Sequence, residues 1–224
     1  MTMITWLVNH LIKFIVHILL KLDATELNKV PSSGPLLLVM NHVNFLDVPV
    51  IITHLIPRPI TGFVKKESWD HPITAFLFNL WGGIPIDRSM ADFNAFMLAK
   101  NALNDGMIVA VAPEGTRTGD GRLIQGKPGL VLLASQCNVP IMSIAYYGHE
   151  GIKQNFRRLK RTPMKIRVGK SFKVKFDGVQ KSKQFMQDAT DAVMLEVADL
   201  LPEKYHGAYA NVSVDREKYL EYLD

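Results

Sequence analysis

The chain has 224 residues, of which 48% are hydrophobic and 21% are charged, a balance that excludes broad disorder and fits one compact domain. The formal net charge of +5 favours an anionic partner, such as phospholipid head groups, nucleic acid or a phosphorylated metabolite, unless it serves solubility alone. Because Cys137 is the single cysteine, no disulfide framework can form, and a reducing compartment follows.

The first 22 residues form an apolar segment in which polar residues recur at helical spacing. Projected on a helix, these polar residues fall within an arc of about 160°: Thr2, Thr5, Asn9, His10, Lys13, His17 and Lys21. A helix crossing a bilayer would carry Lys13 near the bilayer centre, whereas a helix lying in the interface turns Lys13 towards the head groups. We therefore predict an amphipathic membrane-interface helix over residues 1–22. The alternative is a helix that packs on the protein's own sheet.

The rest of the chain predicts strands that alternate with helices. Apolar or alternating runs predict strands over 35–40, 58–64, 83–86, 107–112, 139–146 and, as one or two strands, 164–176. Helical spacing predicts helices over 50–55, 71–80, 91–105, 129–136 and 182–201, and residues 23–34 predict a loop. This alternation indicates that residues 23–224 form a single α/β domain, with a largely parallel central sheet flanked by helices.

Polar residues follow three of the predicted strands, at the edge where a parallel sheet binds its ligands. They are Asn41-His42, Asp87-Arg88 and Pro113-Glu114-Gly115-Thr116-Arg117. If the strands are right, a histidine, two acids and two arginines converge at one edge. Arg117 offers a planar fork for phosphate, and Gly115 allows the backbone to approach a ligand closely. The alternative for this motif is a salt bridge among Glu114, Arg117 and Asp120.

His42 and Asp47 are five residues apart, which on a regular helix separates them by about 140°. They can touch only if His42 lies in the loop before a helix and Asp47 lies in its first turn, which the position of Pro49 permits. A carboxylate on one imidazole nitrogen raises the basicity of the other and so makes a general base suited to a hydroxyl. The alternative is a solvated histidine beside a helix-capping aspartate.

With these motifs in this order, the chain resembles the glycerolipid acyltransferase family of the bacterial 1-acyl-sn-glycerol-3-phosphate acyltransferase type. The resemblance covers about residues 35–145 and four blocks: Asn41 through Asp47 (NHVNFLD), Gly83 through Arg88 (GIPIDR), Pro113 through Arg117 (PEGTR) and Val139 through Ile141 (VPI). Asn44 stands where the family commonly has serine, which bears on the identity of the acceptor.

The resemblance implies an O-acyltransferase in phospholipid biosynthesis, in which His42 deprotonates the acceptor hydroxyl and Asp47 orients His42. Glycerol phosphate would be held by Arg88, Glu114, Gly115, Thr116 and Arg117, together with Lys127 of a Lys-Gly element that often follows the PEGTR block. The implied partners are acyl-CoA or acyl carrier protein, a lysophosphatidate-like lysophospholipid, and an anionic membrane surface. The expected location is peripheral or monotopic on the cytoplasmic face. No metal, other cofactor or covalent acyl-enzyme is expected.

Twelve of the 26 basic residues lie between Lys153 and Lys183, and with the N-terminal segment they favour a surface that faces anionic lipid. Residues 121–127 have P-loop spacing, but Pro128 stands where serine or threonine must reach Mg²⁺. A serine hydrolase would need a G-x-S-x-G elbow. A nucleic-acid module would need clustered aromatic residues, so no nucleic-acid partner is predicted. A non-catalytic anionic-lipid-binding protein is the remaining alternative, and the His42–Asp47 pair argues against it.

Overall fold

A computed structural model gives the fold of residues 2–89, 92–176, 178 and 180–223. The strands are β1 (Leu20–Asp23), β2 (Leu36–Met40), β3 (Ile60–Lys65), β4 (Ile84–Ile86), β5 (Ile108–Val111), β6 (Ile141–Tyr147), β7 (Thr162–Val174) and β8 (Leu220–Tyr222). The α-helices are α1 (Met3–Leu19), α2 (Asp47–Leu55), α3 (Pro72–Leu80), α4 (Phe93–Asn104), α5 (Gly129–Cys137), α6 (Ile152–Arg157), α7 (Lys183–Ala198) and α8 (Arg216–Tyr219). Short 3-10 helices occupy Thr25–Lys29, Lys66–Trp69, Glu203–Tyr205 and Gly207–Tyr209.

The strands form one mostly parallel sheet in the order β1-β7-β6-β2-β5-β3-β4, and β8 pairs with the far end of β7. Strand β2 is the centre of the parallel part, between β5 and β6. Strand β7 runs antiparallel to β6 and to β8, but parallel to β1. The predicted α/β fold with a largely parallel sheet is confirmed.

Both faces of the sheet are covered, which explains why every residue of β2 is buried. Leu37 and Val39 of β2 face a core that includes residues of α4, α5 and α7. Leu36 and Leu38 face the opposite core, which contains residues of α1 and α2. Since burying one such side chain contributes about 1.5–3 kcal/mol, the central strand anchors both layers.

Several element boundaries differ from those predicted. The helix predicted over 91–105 begins at Phe93, because Asp92 caps it by accepting a hydrogen bond from the Ala95 N–H at 2.9 Å. Residue 91 lies outside the described residues. The one or two strands predicted over 164–176 are the single strand β7, which begins at Thr162 and ends at Val174. The short elements α6, α8 and β8 were not predicted.

The N-terminal segment departs from the prediction in two ways. The predicted helix over 1–22 ends at Leu19, because Leu20 is buried and begins β1, pairing with Thr162 of β7. In addition, Asn9 of the predicted outer polar face is buried, because its Oδ1 accepts a hydrogen bond of 2.8 Å from the Trp81 indole N–H. A buried indole N–H needs such an acceptor.

As a result, the apolar side of α1 faces outwards. Its exposed side chains are Met3, Ile4, Leu7, Leu11, Phe14, Ile15 and Ile18, with Trp6 beside them. Exposure reaches 64% for Phe14, far above what a core-facing residue retains. Within the ranges that the structure describes, no helix combines the length and the apolar character needed to cross a bilayer.

Candidate functional site

The candidate site lies at the carboxyl edge of the parallel strands, where β2, β4, β5 and β6 end. Asn41 follows β2 and is buried, and its side chain bonds to the backbone of β6. Its Nδ2 donates to the Tyr146 carbonyl at 2.9 Å, and its Oδ1 accepts from the Tyr146 N–H at 2.8 Å. These two hydrogen bonds to β6 extend the contact between β2 and β6 beyond Met40. They also fix the point at which the chain leaves the sheet before His42.

His42 and Asp47 touch, as their spacing allowed. The Nδ1 atom of His42 lies 2.7 Å from Oδ2 of Asp47, the first residue of α2. The same oxygen accepts backbone N–H groups from Val43 at 2.8 Å and Asn44 at 3.0 Å. The His42 side chain keeps 16% of its surface exposed, whereas that of Asp47 is fully buried. Asp47 thus closes the loop that carries His42 and also contacts its imidazole.

A second histidine bonds to the other oxygen of Asp47. The Nε2 atom of His149 lies 2.6 Å from Asp47 Oδ1, and neither side chain is exposed. Burial, the largest influence, raises the pKa of Asp47, but the hydrogen bonds from His149 and His42 outweigh it and hold that pKa below its ordinary value. Asp47 is therefore a carboxylate between two imidazoles.

Glu114 supports the His42 loop from within the protein. Its Oε2 accepts the His42 N–H at 2.7 Å, its Oε1 accepts the Ile124 N–H at 3.2 Å, and the residue is 2% exposed. Burial raises the pKa of Glu114 to about 7, although the two N–H groups oppose this. The PEGTR loop also contacts the His42 loop through the backbone, since the Thr118 N–H donates to the His42 carbonyl at 2.9 Å. Glu114 thus holds the loop, and its predicted contact with substrate stays a prediction.

The basic residues predicted to bind phosphate surround the same opening. Arg88 and Lys127 line one cavity together with His42 and Gly115. The pKa of Arg88 is lowered, first by burial and then by the neighbouring positive charge of Arg117. Across the described residues, neither arginine nor Lys127 forms a salt bridge, so the alternative ion pair among Glu114, Arg117 and Asp120 is not seen.

Gly115 and Thr116 differ in what they contribute. Gly115 has φ +68°, and a Cβ atom there would lie 3.2 Å from Lys127 Nζ, so glycine brings the Lys127 side chain against the loop. Thr116 is exposed, and it is not among the residues that line the cavity.

The cavity has a volume of about 520 Å³ and runs from these polar groups into an apolar interior. Its apolar lining comes mainly from α2, β3, α3, α4 and α5 and from Trp81, and includes Ile51, Ile52, Phe63, Phe78, Phe96, Met97 and Leu130. This size suits a small-molecule or acyl-chain site. The described part of the chain holds no cluster of three or more His, Cys, Asp or Glu side chains that would suit a metal ion.

His149 was missed by sequence reasoning, although a signal was present. The strand predicted over 139–146 is also a buried run, and its observed end at Tyr147 is followed by Gly148, His149 and Glu150. The rule that directed attention to His42 and Arg88, polar residues directly after a buried strand, applies equally to His149.

Comparisons with known proteins agree with this arrangement. A protein-family model described as Acyltransferase matches residues 21–147. A 1-acyl-sn-glycerol-3-phosphate acyltransferase of Limnanthes alba is 31% identical over 133 residues, which cover 58% of this chain and 47% of that protein. The enzyme of the same name from Bacillus subtilis is 24% identical over 170 residues, which cover 76% of this chain and 83% of that protein. The chain thus spans about half the length of the plant relatives that it matches.

A solved structure shares the fold. The crystal structure of the 1-acyl-sn-glycerophosphate (LPA) acyltransferase PlsC from Thermotoga maritima superposes with a TM-score of 0.62 at 17% identity. The superposition covers 88% of this chain and 78% of that one. At this identity the likeness concerns the fold alone.

Proposed function

Because this chain belongs to the acyltransferase family, we propose that it moves a fatty acyl group from a thioester carrier to the free hydroxyl of a lysophosphatidate-like glycerol phosphate. The observation that carries the proposal is the 2.7 Å contact between His42 Nδ1 and Asp47 Oδ2 at the mouth of a cavity that Arg88 also lines. Homologues of this chain are named for acylation of 1-acyl-sn-glycerol-3-phosphate in plants and bacteria.

In the proposed reaction, His42 is the general base. Its Nδ1 is bonded to Asp47, so its Nε2 is left to take the proton of the acceptor hydroxyl. The hydroxyl oxygen then attacks the thioester carbonyl, the new C–O ester bond forms, and the C–S bond breaks. The imidazolium of His42 returns its proton to the leaving thiolate, and the buried Asp47 carboxylate stabilises the positive charge meanwhile.

Two substrate subsites follow from the lining of the cavity. Arg88 and Lys127 in this lining supply positive charge for the acceptor phosphate and for phosphates of the donor. Arg117 does not line the cavity, but it is exposed beside it and its charge acts on Arg88, so it is proposed to add to this positive charge. The apolar interior, lined by residues such as Phe63 and Phe96, suits the acyl chain because it removes methylene groups from water. Acyl-CoA and acyl carrier protein both present a thioester with phosphate nearby, so either donor fits this proposal.

The outer face of α1 is the proposed membrane contact. Its exposed apolar side chains would enter the interface between head groups and acyl chains, with α1 lying in the membrane plane on the cytoplasmic side. Lys13 is only partly exposed and lies towards the protein, so anionic lipid must be attracted by charge elsewhere.

Residues 153–161, which comprise most of α6 and the turn after it and are termed the basic loop, supply that charge beside the end of α1. It carries five basic residues, Lys153, Arg157, Arg158, Lys160 and Arg161, and it exposes Phe156 and Leu159. The Arg161 guanidinium donates two hydrogen bonds, of 3.1 and 2.6 Å, to the Leu20 carbonyl where α1 ends. Exposed apolar side chains among cations suit a bilayer that contains anionic lipid.

The proposed membrane surface would lie at the edge of the sheet that bears the candidate site. Tyr147, where β6 ends, pairs with Lys165 near the start of the antiparallel β7. Strand β1 is parallel to β7, so α1 also enters the sheet at this edge. The basic loop, the end of α1 and His42 therefore share one side of the molecule, which would let a lipid acceptor reach the base from the bilayer.

The proposal is tested by acyl transfer with purified protein. Lysophosphatidate and a long-chain acyl-CoA or acyl carrier protein are supplied in mixed vesicles, and free thiol and phosphatidate are measured together. His42→Ala should lower turnover by about 10²–10⁴ while thermal unfolding stays unchanged. His71→Ala is a matched control, since His71 is exposed at the start of α3. Near-normal turnover in His42→Ala would refute the assigned role.

A further inference from the structure

The buried side chain of His149 has no explanation in the reaction as described so far. It is fully buried, and Nε2 bonds to Asp47 Oδ1 at 2.6 Å. Its Nδ1 is buried and has no hydrogen-bond partner among the described residues. Burying an imidazole costs free energy that an apolar side chain of similar size would not. A histidine that makes only one hydrogen bond in the core is therefore expected to have a role besides packing.

The environment of the ring fixes its tautomer. Asp47 Oδ1 can only accept, so Nε2 of His149 must carry the proton and donate it. A proton on Nδ1 would be buried without an acceptor, whereas an unshared lone pair there costs less. His149 therefore donates to Asp47 through Nε2.

The backbone around His149 is held by the same loop that carries His42. The Asn44 side chain donates from Nδ2 to the His149 carbonyl at 3.1 Å and accepts the Leu46 N–H at 2.9 Å. Gly148, with φ +95°, makes the turn out of β6 possible, and its N–H donates to the Glu150 carboxylate at 2.9 Å. Asn44 thus stands at a position that couples the two loops meeting on Asp47.

We propose that His149 is a positioning residue for acyl transfer, which holds the Asp47 carboxylate by its Oδ1 so that Oδ2 stays aimed at His42. This inference rests on the proposed function of His42 and Asp47. Without the His149 donor, Asp47 would keep its contacts through Oδ2 but would leave a buried carboxylate oxygen without a partner. The carboxylate would then rotate or take up a proton, and either change would weaken its hold on the His42 imidazole.

The test compares variants that keep or remove the donor. In His149→Gln the amide nitrogen reaches about as far as Nε2 and can still donate. His149→Met has a similar length without a donor, and His149→Asn is too short to reach Asp47. We expect kcat to fall by about 10- to 100-fold in the Met and Asn variants, the range for a lost hydrogen bond to a charged group, with KM changed less than about twofold.

The pH profile separates positioning from simple packing. The hydrogen bond from His149 is the strongest of the influences that lower the pKa of Asp47, so its loss should let Asp47 protonate at higher pH. The acid limb of kcat should therefore move to higher pH in the Met and Asn variants. His149→Gln should recover most of the turnover and the acid limb of the unsubstituted protein.

The outcomes distinguish this inference from the proposed function. If the unsubstituted protein transfers no acyl group, the proposed function fails. If it is active and the Met and Asn variants match it in kcat and pH profile, only the role of His149 is overturned. An equal loss in the Gln, Met and Asn variants without any shift of the acid limb would overturn it too, as would failure of both the Met and Asn variants to fold, since each result would make His149 a packing residue.

Discussion

The Glu114 carboxylate accepts the backbone N–H of His42 at 2.7 Å, so the PEGTR block directly supports the block that carries the proposed base. The second oxygen of Glu114 accepts the Ile124 N–H, which joins the loop after β5 to the same centre. The two sequence blocks therefore form one hydrogen-bonded unit in the folded protein, in addition to any contact with substrate.

Removal of this support should affect both stability and turnover. Glu114→Ala leaves the partly buried N–H groups of His42 and Ile124 without this acceptor, at a cost of up to about 1–3 kcal/mol for each group. We expect a lower free energy of unfolding in urea and a reduced kcat, because the His42 loop loses an anchor. Glu67→Ala is the control, since Glu67 is exposed and, among the described residues, its carboxylate forms a salt bridge with Lys65 alone, at 3.4 Å. Unchanged unfolding in Glu114→Ala would contradict the supporting role.

Glu114 should also make stability depend on pH. Burial raises its pKa from an ordinary 4.5 to about 7 in the folded protein, so between these values the folded state binds more proton than the unfolded state. Its contribution is complete below about pH 4.5 and is lost as the pH rises through about 7. Relative to Glu114→Gln, the protein should lose up to about 3 kcal/mol of unfolding free energy between pH 5 and 8. Urea unfolding of both proteins across this range is the measurement, and parallel curves would disprove the expectation.

Arg117 should matter most for acceptors that bear phosphate. Arg117→Lys keeps the charge but removes the bidentate fork, so KM for lysophosphatidate should rise by about tenfold. KM for a phosphate-free monoacylglycerol should change less than about twofold. Arg122→Lys is the matched control, because Arg122 is exposed in the same region of the chain. An equal loss on both acceptors would argue against a phosphate contact.

The exposed apolar residues of α1 and of the basic loop should govern vesicle binding. Leu11→Asp and Leu159→Asp each remove an apolar side chain that would enter the bilayer, so partition into anionic vesicles should fall by about tenfold in a flotation assay. Val212→Asp, an exposed apolar position outside both segments, should bind as well as the unsubstituted protein. Equal binding by the unsubstituted protein and all three variants would argue against the proposed membrane surface.

Electrostatic attraction between the basic loop and anionic vesicles should depend on salt concentration. Replacing Arg157 and Arg158 by glutamate should lower vesicle binding at low ionic strength and reduce its dependence on salt, because charges near a surface are screened over about 10 Å at 0.1 M salt. Neutral vesicles should show a much smaller change. Similar losses on neutral and anionic vesicles would indicate that the substitutions act through the fold.

The local parts of the fold were predictable because they depend on neighbouring residues. The apolar run of β2 and the position of Pro49 sufficed to place His42 in a loop and Asp47 in a first helical turn. The parallel sheet then explained why residues as distant as Arg88 and Glu114 share an edge with them. Each inference needed only a predicted strand, the residue at which it ends, and the rule that ligands bind at the carboxyl ends of parallel strands.

The parts that could not be predicted depend on partners far away along the chain. Asn9 faces inwards because it accepts the indole N–H of Trp81, 72 residues later, and periodicity gives no sign of that bond. His149 lies 102 residues from Asp47. The helix was predicted to run to residue 22, whereas the pairing of Leu20 with Thr162 of β7, far along the chain, makes residue 20 the start of a strand.

The direct passage from α1 into β1 bears on how the chain can be shortened for study. A cut after residue 22, where the helix was predicted to end, deletes most of the edge strand and leaves the start of β7, where Thr162, Pro163 and Met164 pair with β1, unpaired on that side. Unpaired strands of this kind invite association between molecules. A version that starts at Leu20 keeps the whole of β1, and it should aggregate less in size-exclusion chromatography than the shorter version.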